Sequence, residues 1–144
     1  MQIEHVTTTE AFDALEADWR ALEELSARNS VFLGWDWQRL WWSHYGPGRR
    51  LSILVARLGG RVIGILPLYL ETHRVFKILP VRKLRPIGSG GDTSPDDLGM
   101  LLNPEHERTV ATAFVDFITH QIPGWQVLDL VDLPTDSALA ACLL

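Results

Sequence analysis

The spacing of hydrophobic residues predicts a strand and then a helix at the start of the chain. Polar and apolar residues alternate from Gln2 to Val6, as in a half-buried strand. Apolar residues then recur at steps of three and four, at Phe12, Leu15, Trp19, Leu22 and Leu25. Thr7 followed by Glu10 matches a capping box, in which two side chains bond unpaired amides at a helix start. Asn29–Ser30 interrupts the pattern.

A second helix is predicted from Trp35 to Tyr45, and Gly46–Pro47–Gly48 ends it. Its predicted apolar face consists of Trp37, Leu40, Trp41 and His44. Four tryptophans lie between Trp35 and Trp42. Such a cluster can stack on sugar rings or on a flat cofactor, but helical spacing is more typical of core packing.

The clearest strand signal is a hairpin. Leu51–Leu58 and Arg61–Leu70 are rich in β-branched and apolar residues, and Gly59–Gly60 between them forms a tight two-residue turn. Pro67 has no amide hydrogen to donate to a sheet, so we expect a bulge or an edge position there. Weaker strands are predicted at Val75–Leu79 and Arg82–Ile87.

The last third of the chain predicts a strand, a helix, a strand and a final helix. Gly88–Pro95 is expected to be a flexible loop, and a strand follows at Asp97–Leu102. Asn103–Pro104 marks the next helix start. That helix has an apolar stripe at Val110, Ala113, Phe114, Phe117 and Ile118. Trp125–Leu130 alternates as a last strand, and Thr135 is positioned to cap the final helix.

The pattern predicts one domain over residues 1–144. Its final segment, 138–144, is almost wholly apolar and carries no polar or glycine stop signal. We therefore expect the domain to be incomplete at its C-terminus and to continue beyond Leu144.

Composition narrows the class of protein. Hydrophobic residues make up 47% and charged residues 22% of the 144, an ordinary balance for a globular domain. The net charge of −5 argues against a nucleic-acid binder. Cys142 is the only cysteine, which excludes an intrachain disulfide and a cysteine zinc cluster. No signal peptide and no apolar run of the ~20 residues that a membrane span needs is visible. We expect a cytoplasmic domain without a metal site.

The charges are distributed unevenly. Residues 1–48 carry a net −5, residues 49–87 a net +8 and residues 88–144 a net −8. One interpretation is that the basic middle third forms solvated strand faces that pair with acidic helices. The other is an anion-facing surface for a phosphate, an acidic sugar or a partner.

Catalytic motifs are absent from the sequence. It contains no P-loop, dinucleotide-binding fingerprint, HExxH or GxSxG, and its five histidines lack metal-ligand spacing. Ser43 and His44 are neighbours that point in different directions on a helix. The loop Gly88–Pro95 can present backbone amides to an anion, although such loops are commonly plain turns. The acids beside it, which could supply a general base or simply solubilise the loop, are Asp92, Asp96 and Asp97.

The order of elements resembles the first part of the GNAT acyltransferase fold. Several segments are similar to the CelD/BcsL family of GNAT-related proteins, which is itself similar to the FemAB-like acyltransferases. These segments are 32–37 with Trp41–Trp42, 49–69, 84–90, 125–130 and 132–134.

The resemblance implies an α+β fold with a mixed central sheet flanked by helices. It also implies acyl transfer to an amine or hydroxyl of a small-molecule or glycan acceptor, in envelope or exopolysaccharide metabolism. The donor would be acetyl-CoA or another acyl-CoA. The catalytic half of such proteins would lie beyond Leu144, so that half is an expected partner of this segment.

Two departures from the family pattern bear on the donor site. A GNAT donor site resembles a strand that runs into a glycine-rich loop at a helix N-terminus, whereas Leu101–Arg108 has no glycine, contains Pro104 and carries two glutamates. The alternative hypothesis is therefore a non-catalytic glycan- or protein-binding domain with a degenerate GNAT fold. No catalytic residue is assigned. The candidate acceptor or anion surface consists of Arg74, Lys77, Arg82, Lys83, Arg85, Ser89 and Asp92.

Overall fold

The computed structural model describes residues 1–26, 30–93 and 95–144, and confirms the expected α+β class. Its strands are β1 (Gln2–Val6), β2 (Arg50–Leu51), β3 (Ile53–Leu58), β4 (Arg61–Leu66), β5 (Leu68–Val75), β6 (Leu79–Pro86), β7 (Leu101–Leu102) and β8 (Val127–Leu128). Its α-helices are α1 (Thr9–Asp13), α2 (Glu16–Leu25), α3 (Trp35–Tyr45), α4 (Glu107–Gln121) and α5 (Ala138–Leu143). Short 3-10 helices occupy Val31–Leu33 and Pro104–His106.

The strands of the described residues form two four-stranded sheets. The first has the order β1-β3-β4-β7 and is antiparallel, and the second has the order β2-β5-β6-β8, in which β6 and β8 are parallel. The hairpin around Gly59–Gly60 is confirmed, but each of its predicted strands is divided between the two sheets, at Ser52 and at Pro67. The Ser52 amide donates to the Leu68 carbonyl across this division, at 2.9 Å.

Pro67 lies between β4 and β5, where the chain passes from one sheet to the other. Its carbonyl accepts a hydrogen bond from the Ile87 amide at 2.9 Å. Pro67 therefore lacks only the backbone hydrogen bond that an amide hydrogen would donate. The register irregularity of the hairpin falls elsewhere, between Ala56 and Arg57. The expectation of a bulge or an edge position at Pro67 was therefore wrong, because Pro67 is a strand break between β4 and β5, each an interior strand of its sheet.

Helices cover both faces of the sheets. Side chains alternate along a strand, so Ile53 and Val55 pack with α1, α2 and α3, while Leu54 and Ala56 pack with α4 and α5. All four of these residues are fully buried. No helix within the described residues is both long and apolar enough to cross a membrane.

The first predicted helix is two helices. Thr8, and not Thr7, caps α1, because its hydroxyl accepts from the Ala11 amide at 3.2 Å. The Leu15 amide then bonds the Phe12 carbonyl three residues back, and this tighter turn separates α1 from α2. The predicted stripe is buried except for Leu25, which is 54% exposed. Asn29, where a break was predicted, lies outside the described residues.

The bounds predicted for α3 are confirmed, but of its predicted apolar face only Trp41 is buried and Trp37 half-buried. Leu40 and His44 are exposed, and the buried residues are Trp35, Gln38, Trp41 and Trp42. Gln38 can lie on the buried face because its amide nitrogen donates to the carbonyls of Phe32 and Ile87, at 2.6 and 3.1 Å.

The strand predicted at Val75–Leu79 is instead the turn of a second hairpin. β5 continues to Val75 and pairs with β6 along its whole length, with Arg74 opposite Pro80. Phe76 and Lys77 both have positive φ angles, which turns the chain. The side chains of this segment are typical of a strand, and it lacks the glycine or asparagine that usually indicates such a turn.

The C-terminal elements are shorter than predicted. Only Leu101–Leu102 of the segment Asp97–Leu102, and only Val127–Leu128 of Trp125–Leu130, pair as strands. The stripe of α4 is confirmed, with Ala111 buried in place of Ala113. Ser137, and not Thr135, caps α5, since its hydroxyl accepts from the Ala140 amide at 3.2 Å.

Candidate functional sites

A small cavity lies beside the start of α4. Its lining residues include Asp97, Gly99, Met100, Pro104, Glu107 and Ser137. Its volume is about 60 Å³, far below the roughly 300–1,000 Å³ of typical small-molecule sites. This is the strand-to-helix junction at which the sequence resemblance places an acyl-donor diphosphate.

The backbone amides at this junction bond within the turn. The Glu105 amide donates to the Asn103 side chain at 3.1 Å, and the His106 amide donates to the Asn103 carbonyl at 3.0 Å. The Glu107 amide donates to the Pro104 carbonyl. Pro104 itself has no amide hydrogen. These residues therefore do not fit the diphosphate of an acyl-CoA, because the amides that would bind it are already used.

Carboxylates reinforce this mismatch. Glu105 and Glu107 are the acidic residues of the first helical turns, and Asp97 lines the cavity from the preceding loop. Glu107 also accepts from the Ala138 amide at 3.4 Å, which ties α5 to the start of α4. An anion here would be repelled by several like charges at close range.

A network of ion pairs crosses the second sheet. Glu71 on β5 accepts from the Arg49 Nε at 2.9 Å and from the Arg85 Nη1 at 2.8 Å. The Arg85 Nε also lies 3.4 Å from a carboxylate oxygen of Asp129. Burial alone would raise the pKa of Glu71, but the hydrogen bonds from Arg85 and Arg49 outweigh it and hold this pKa below its usual range. Glu71 is therefore ionised at neutral pH and fixes both arginines.

Tyr69 lies directly opposite Arg85 in the same sheet. Its hydroxyl donates to the Ser89 carbonyl at 2.5 Å, and its ring packs against Trp41 with the centroids 5.5 Å apart. Burial raises the pKa of the Tyr69 hydroxyl, so it stays protonated and serves as a donor. It holds the Ser89 loop against the core.

The structure does not bring the seven predicted surface residues together. Arg85 is in the Glu71 network, and Lys83 is on the same strand face. Arg82 is on the opposite face, exposed, with its guanidinium near Gly124. Arg74 and Lys77 are exposed at the far end of the β5–β6 hairpin.

The remaining two predicted residues are in the loop that follows β6. Ser89 is only 3% exposed, and its hydroxyl donates to the Pro86 carbonyl at 2.8 Å, so the loop itself uses this group. Asp92 is exposed. Thr93 donates to the Gly88 carbonyl at 3.0 Å and accepts from the Trp41 indole at 3.2 Å. Ser94 lies outside the described residues.

The basic block pairs with acidic residues only in part. Arg57 pairs with Glu4 of β1 and with Asp18 of α2, as the ion-pair interpretation expects, and Glu71 and Asp129 together balance the charges of Arg49 and Arg85. The other basic residues of the block form no ion pair within the described residues; they are Arg50, Arg61, Arg74, Lys77, Arg82 and Lys83.

The tryptophan cluster belongs mainly to the core. Trp35 packs edge-on against Phe12 and Trp19, with ring centroids 5.2 and 5.6 Å apart. Trp41 and Trp42 are 3% and 8% exposed. Trp37 is half-buried against Phe32 and Gly88. The core-packing interpretation is therefore correct for at least three of the four.

A wider groove lies where the two sheets separate, and the sequence analysis did not predict it. His5 of β1 and Ser52, which lies between β2 and β3, meet at its base, with the imidazole Nε2 2.8 Å from the serine hydroxyl. The two residues are 47 positions apart, so only the antiparallel pairing of β1 with β3 could have indicated their contact. No group of metal-ligating side chains occurs here or elsewhere in the described part of the chain.

Comparisons with known proteins support the fold. No family model and no curated protein matches the sequence. Among solved structures, the chain is similar to ribosomal-protein-alanine N-acetyltransferase from Brucella melitensis biovar Abortus 2308, at 12% identity and a TM-score of 0.50, over 94% of this chain and 84% of that one. It is also similar to aminoglycoside 6'-N-acetyltransferase AAC(6')-Ih from Acinetobacter baumannii, at 17% identity and a TM-score of 0.49, over 99% of this chain and 86% of that one. The fold of this chain is that of the GNAT acetyltransferases.

Proposed function

We propose that this chain forms the N-terminal portion of a GNAT-type acyltransferase and supplies its acceptor side. The acyl group would pass from acetyl-CoA or another acyl-CoA to an amine or hydroxyl of a small-molecule or glycan acceptor. The observation that carries the proposal is the shared fold with an N-acetyltransferase over 94% of this chain. A link to the CelD/BcsL and FemAB-like proteins, and to envelope or exopolysaccharide metabolism, rests on the sequence resemblance.

The proposal includes a second half of the protein, beyond Leu144, that would hold the donor site. The start of α4 supports it, because three successive amides there are already bonded and the carboxylates of Glu105 and Glu107 lie close by. The base that deprotonates the acceptor and the donors that stabilise the developing oxyanion would lie in that half as well.

Acetyl-CoA binding tests the proposal. Calorimetric titrations are run with the 144-residue chain and with the natural protein that contains it. We expect binding to the natural protein and none to the chain. Binding to the chain alone would overturn the division between the halves, and absence of binding to both would overturn the acyltransferase proposal.

The anion-surface hypothesis is tested with two separate single variants, because Arg82 and Lys83 lie on opposite faces of β6. If an anionic acceptor contacts the Lys83 face, Lys83→Glu in the natural protein raises KM for the acceptor and Arg82→Glu does not. The reverse result would place the acceptor on the face of Arg82, Arg74 and Leu84. Unchanged kinetics in both variants would remove the anion-surface hypothesis.

A non-catalytic binding domain is the second candidate function. The closed junction at α4 favours it, because such a domain has no need of a donor site. A glycan or protein ligand that binds the natural protein in the absence of any acyl-CoA binding would establish this alternative.

A further inference from the structure

The groove between the two sheets has the composition of an anion site. It has a volume of about 470 Å³, within the usual range for small-molecule sites. Its polar lining consists of His5, Thr7, Thr9, Arg49, Arg50 and Ser52, and no carboxylate lines it. Donors of hydrogen bonds therefore dominate its polar surface.

The two arginines of the groove differ. The Arg49 guanidinium is held by Glu71 and by the Tyr45 carbonyl, at 2.9 and 2.5 Å, and its charge is balanced. Arg50 is exposed and forms no ion pair within the described residues. It stands opposite Leu70 in the β2–β5 pair, so both occupy the same face of the second sheet. The uncompensated charge of the groove is that of Arg50.

The base of the groove is a preformed polar pair. Ser52 is 3% exposed, and its amide is bonded to the Leu68 carbonyl, which fixes the position of its hydroxyl beside His5. The His5 ring also packs edge-on against Phe117 of α4, with centroids 5.6 Å apart. A buried serine and a half-buried histidine at the base of a cavity are ready to bond a ligand without further ordering.

The pair is not arranged for nucleophilic catalysis. A catalytic serine needs a histidine that a third group orients, together with free amides for the oxyanion. Among the described residues, no carboxylate bonds the other ring nitrogen of His5, and the Ser52 amide is already used. Binding is therefore the role that the geometry favours.

We propose that this groove binds a small phosphomonoester, with the phosphate between Arg50 and the His5–Ser52 pair. The three terminal oxygens of a phosphomonoester can accept hydrogen bonds from the guanidinium and from several hydroxyls at once. A carboxylate has only two oxygens and accepts fewer such bonds. The apolar part of the ligand would lie against Trp42, Leu70, Ile122 and Pro123, which with Leu51 complete the lining.

The groove is separate from the junction at the start of α4. Pro104 and Glu107 line the cavity at one end of that helix, whereas Ile122 and Pro123 line the groove beyond its other end. The 15 residues of α4 correspond to roughly 22 Å at the rise of an α-helix. This inference stands whether or not the chain belongs to an acyltransferase.

The test is a titration of the chain with phenyl phosphate, followed by NMR amide shifts. We expect saturable shifts that are confined to residues 5–9, 42, 49–52, 70 and 122, and weaker ones with inorganic phosphate, which lacks the ring. Arg50→Ala should weaken binding about tenfold, as expected for the loss of one charge-assisted contact. Arg61→Ala is the matched control, because Arg61 is also exposed and unpaired among the described residues but lies at the start of β4.

Ser52→Ala provides a second variant, and its folded state is checked by its amide spectrum. A loss of affinity with a native spectrum supports the proposal. Equal weakening by Arg50→Ala and Arg61→Ala would show non-specific attraction and overturn it. Absence of saturable shifts at these residues would overturn it as well.

Discussion

Glu71 accepts a hydrogen bond from the Arg85 guanidinium at 2.8 Å, between neighbouring strands of the second sheet. Both side chains are largely withdrawn from water, at 14% and 18% exposure. Glu71 also bonds Arg49, the residue before β2, and so ties the β5–β6 hairpin to a segment 22 residues earlier in the chain. Because Glu71 is the only acid in residues 49–87, one carboxylate orders the basic block at this point.

Replacing Glu71 by glutamine tests this role. Glu71→Gln keeps the shape but removes the charge, which leaves the Arg49 guanidinium without an anionic partner and Arg85 with Asp129 alone. We expect the free energy of unfolding to fall by about 2 kcal/mol, between the small effects at exposed pairs and the larger ones at buried pairs. Urea denaturation measures it.

Glu16→Gln is the control for this variant. Glu16 also pairs with an arginine, Arg20, at 3.0 Å, but both side chains are about half exposed. The free energy of unfolding of the Glu16→Gln variant should equal that of the parent chain. Similar losses in both variants would contradict a special role for Glu71.

The pH dependence of stability follows from the same carboxylate. Its pKa in the folded chain lies below the ordinary value of 4.5, so the unfolded chain binds the proton more readily. The stabilisation is therefore complete above pH 4.5 and is lost as the pH falls through the lower, folded value. We expect the difference in unfolding free energy between the parent chain and Glu71→Gln to shrink in acid. A difference that stays constant from neutral pH into this acid range would refute the assignment.

The sequence predicted elements well where periodicity and turn chemistry agree. The bounds of β1 and α3 and the Gly59–Gly60 turn are confirmed. Each was predicted from a signal within its own few residues: polar and apolar alternation in β1, helical spacing in α3 and glycine in the turn. The split of the hairpin into two sheets was not predictable in this way. It depends on the pairing of β5 with β2 and β6 in a second sheet, and hydrophobic periodicity does not specify which sheet a strand joins.

The candidate sites were predicted less well than the fold. The sequence alone indicated that the start of α4 does not fit a diphosphate. Pro104 has no amide hydrogen and the two glutamates are negatively charged, whatever fold the chain adopts. The groove could not be predicted, because His5 and Ser52 are unremarkable residues until strand pairing brings them together. The separation of Lys83 from Arg82, in contrast, could have been predicted, because side chains alternate along the strand expected at Arg82–Ile87.

The turn between β5 and β6 should gain stability from ordinary turn residues. Phe76 and Lys77 have φ angles of 53° and 60°, and the Ile78 amide bonds the Val75 carbonyl at 3.2 Å, as in a type I′ turn. Such backbone angles disfavour side chains with a Cβ by roughly 1–2 kcal/mol per residue. Phe76→Asn with Lys77→Gly should raise the free energy of unfolding by about 1 kcal/mol, measured by urea denaturation.

Ile78→Asn separates this effect from the loss of exposed apolar surface. Ile78 is 80% exposed, close to the 90% of Phe76, but its φ angle is not positive. Ile78→Asn should give no comparable gain in the free energy of unfolding. A gain of equal size would show that removal of exposed apolar surface, rather than turn geometry, raises the stability.

The contact between β4 and α4 depends on the absence of a side chain at Gly64. A Cβ built there would lie 2.6 Å from a methyl carbon of Val110, which is fully buried. Gly64→Ala should therefore lower the free energy of unfolding by roughly 1–3 kcal/mol through overpacking. Val110→Ala alone should lower it by about 1–2 kcal/mol, since it removes buried methyl groups.

The double variant shows whether the two side chains oppose each other directly. With Val110→Ala in place, the methyl group at position 64 occupies space that the valine has vacated, so its unfavourable effect should largely vanish. The coupling in the double-mutant cycle should reach about 1 kcal/mol or more. Additive effects would mean that Gly64 is required for backbone conformation and not for the close approach of α4, because backbone strain would persist whatever residue stands at position 110.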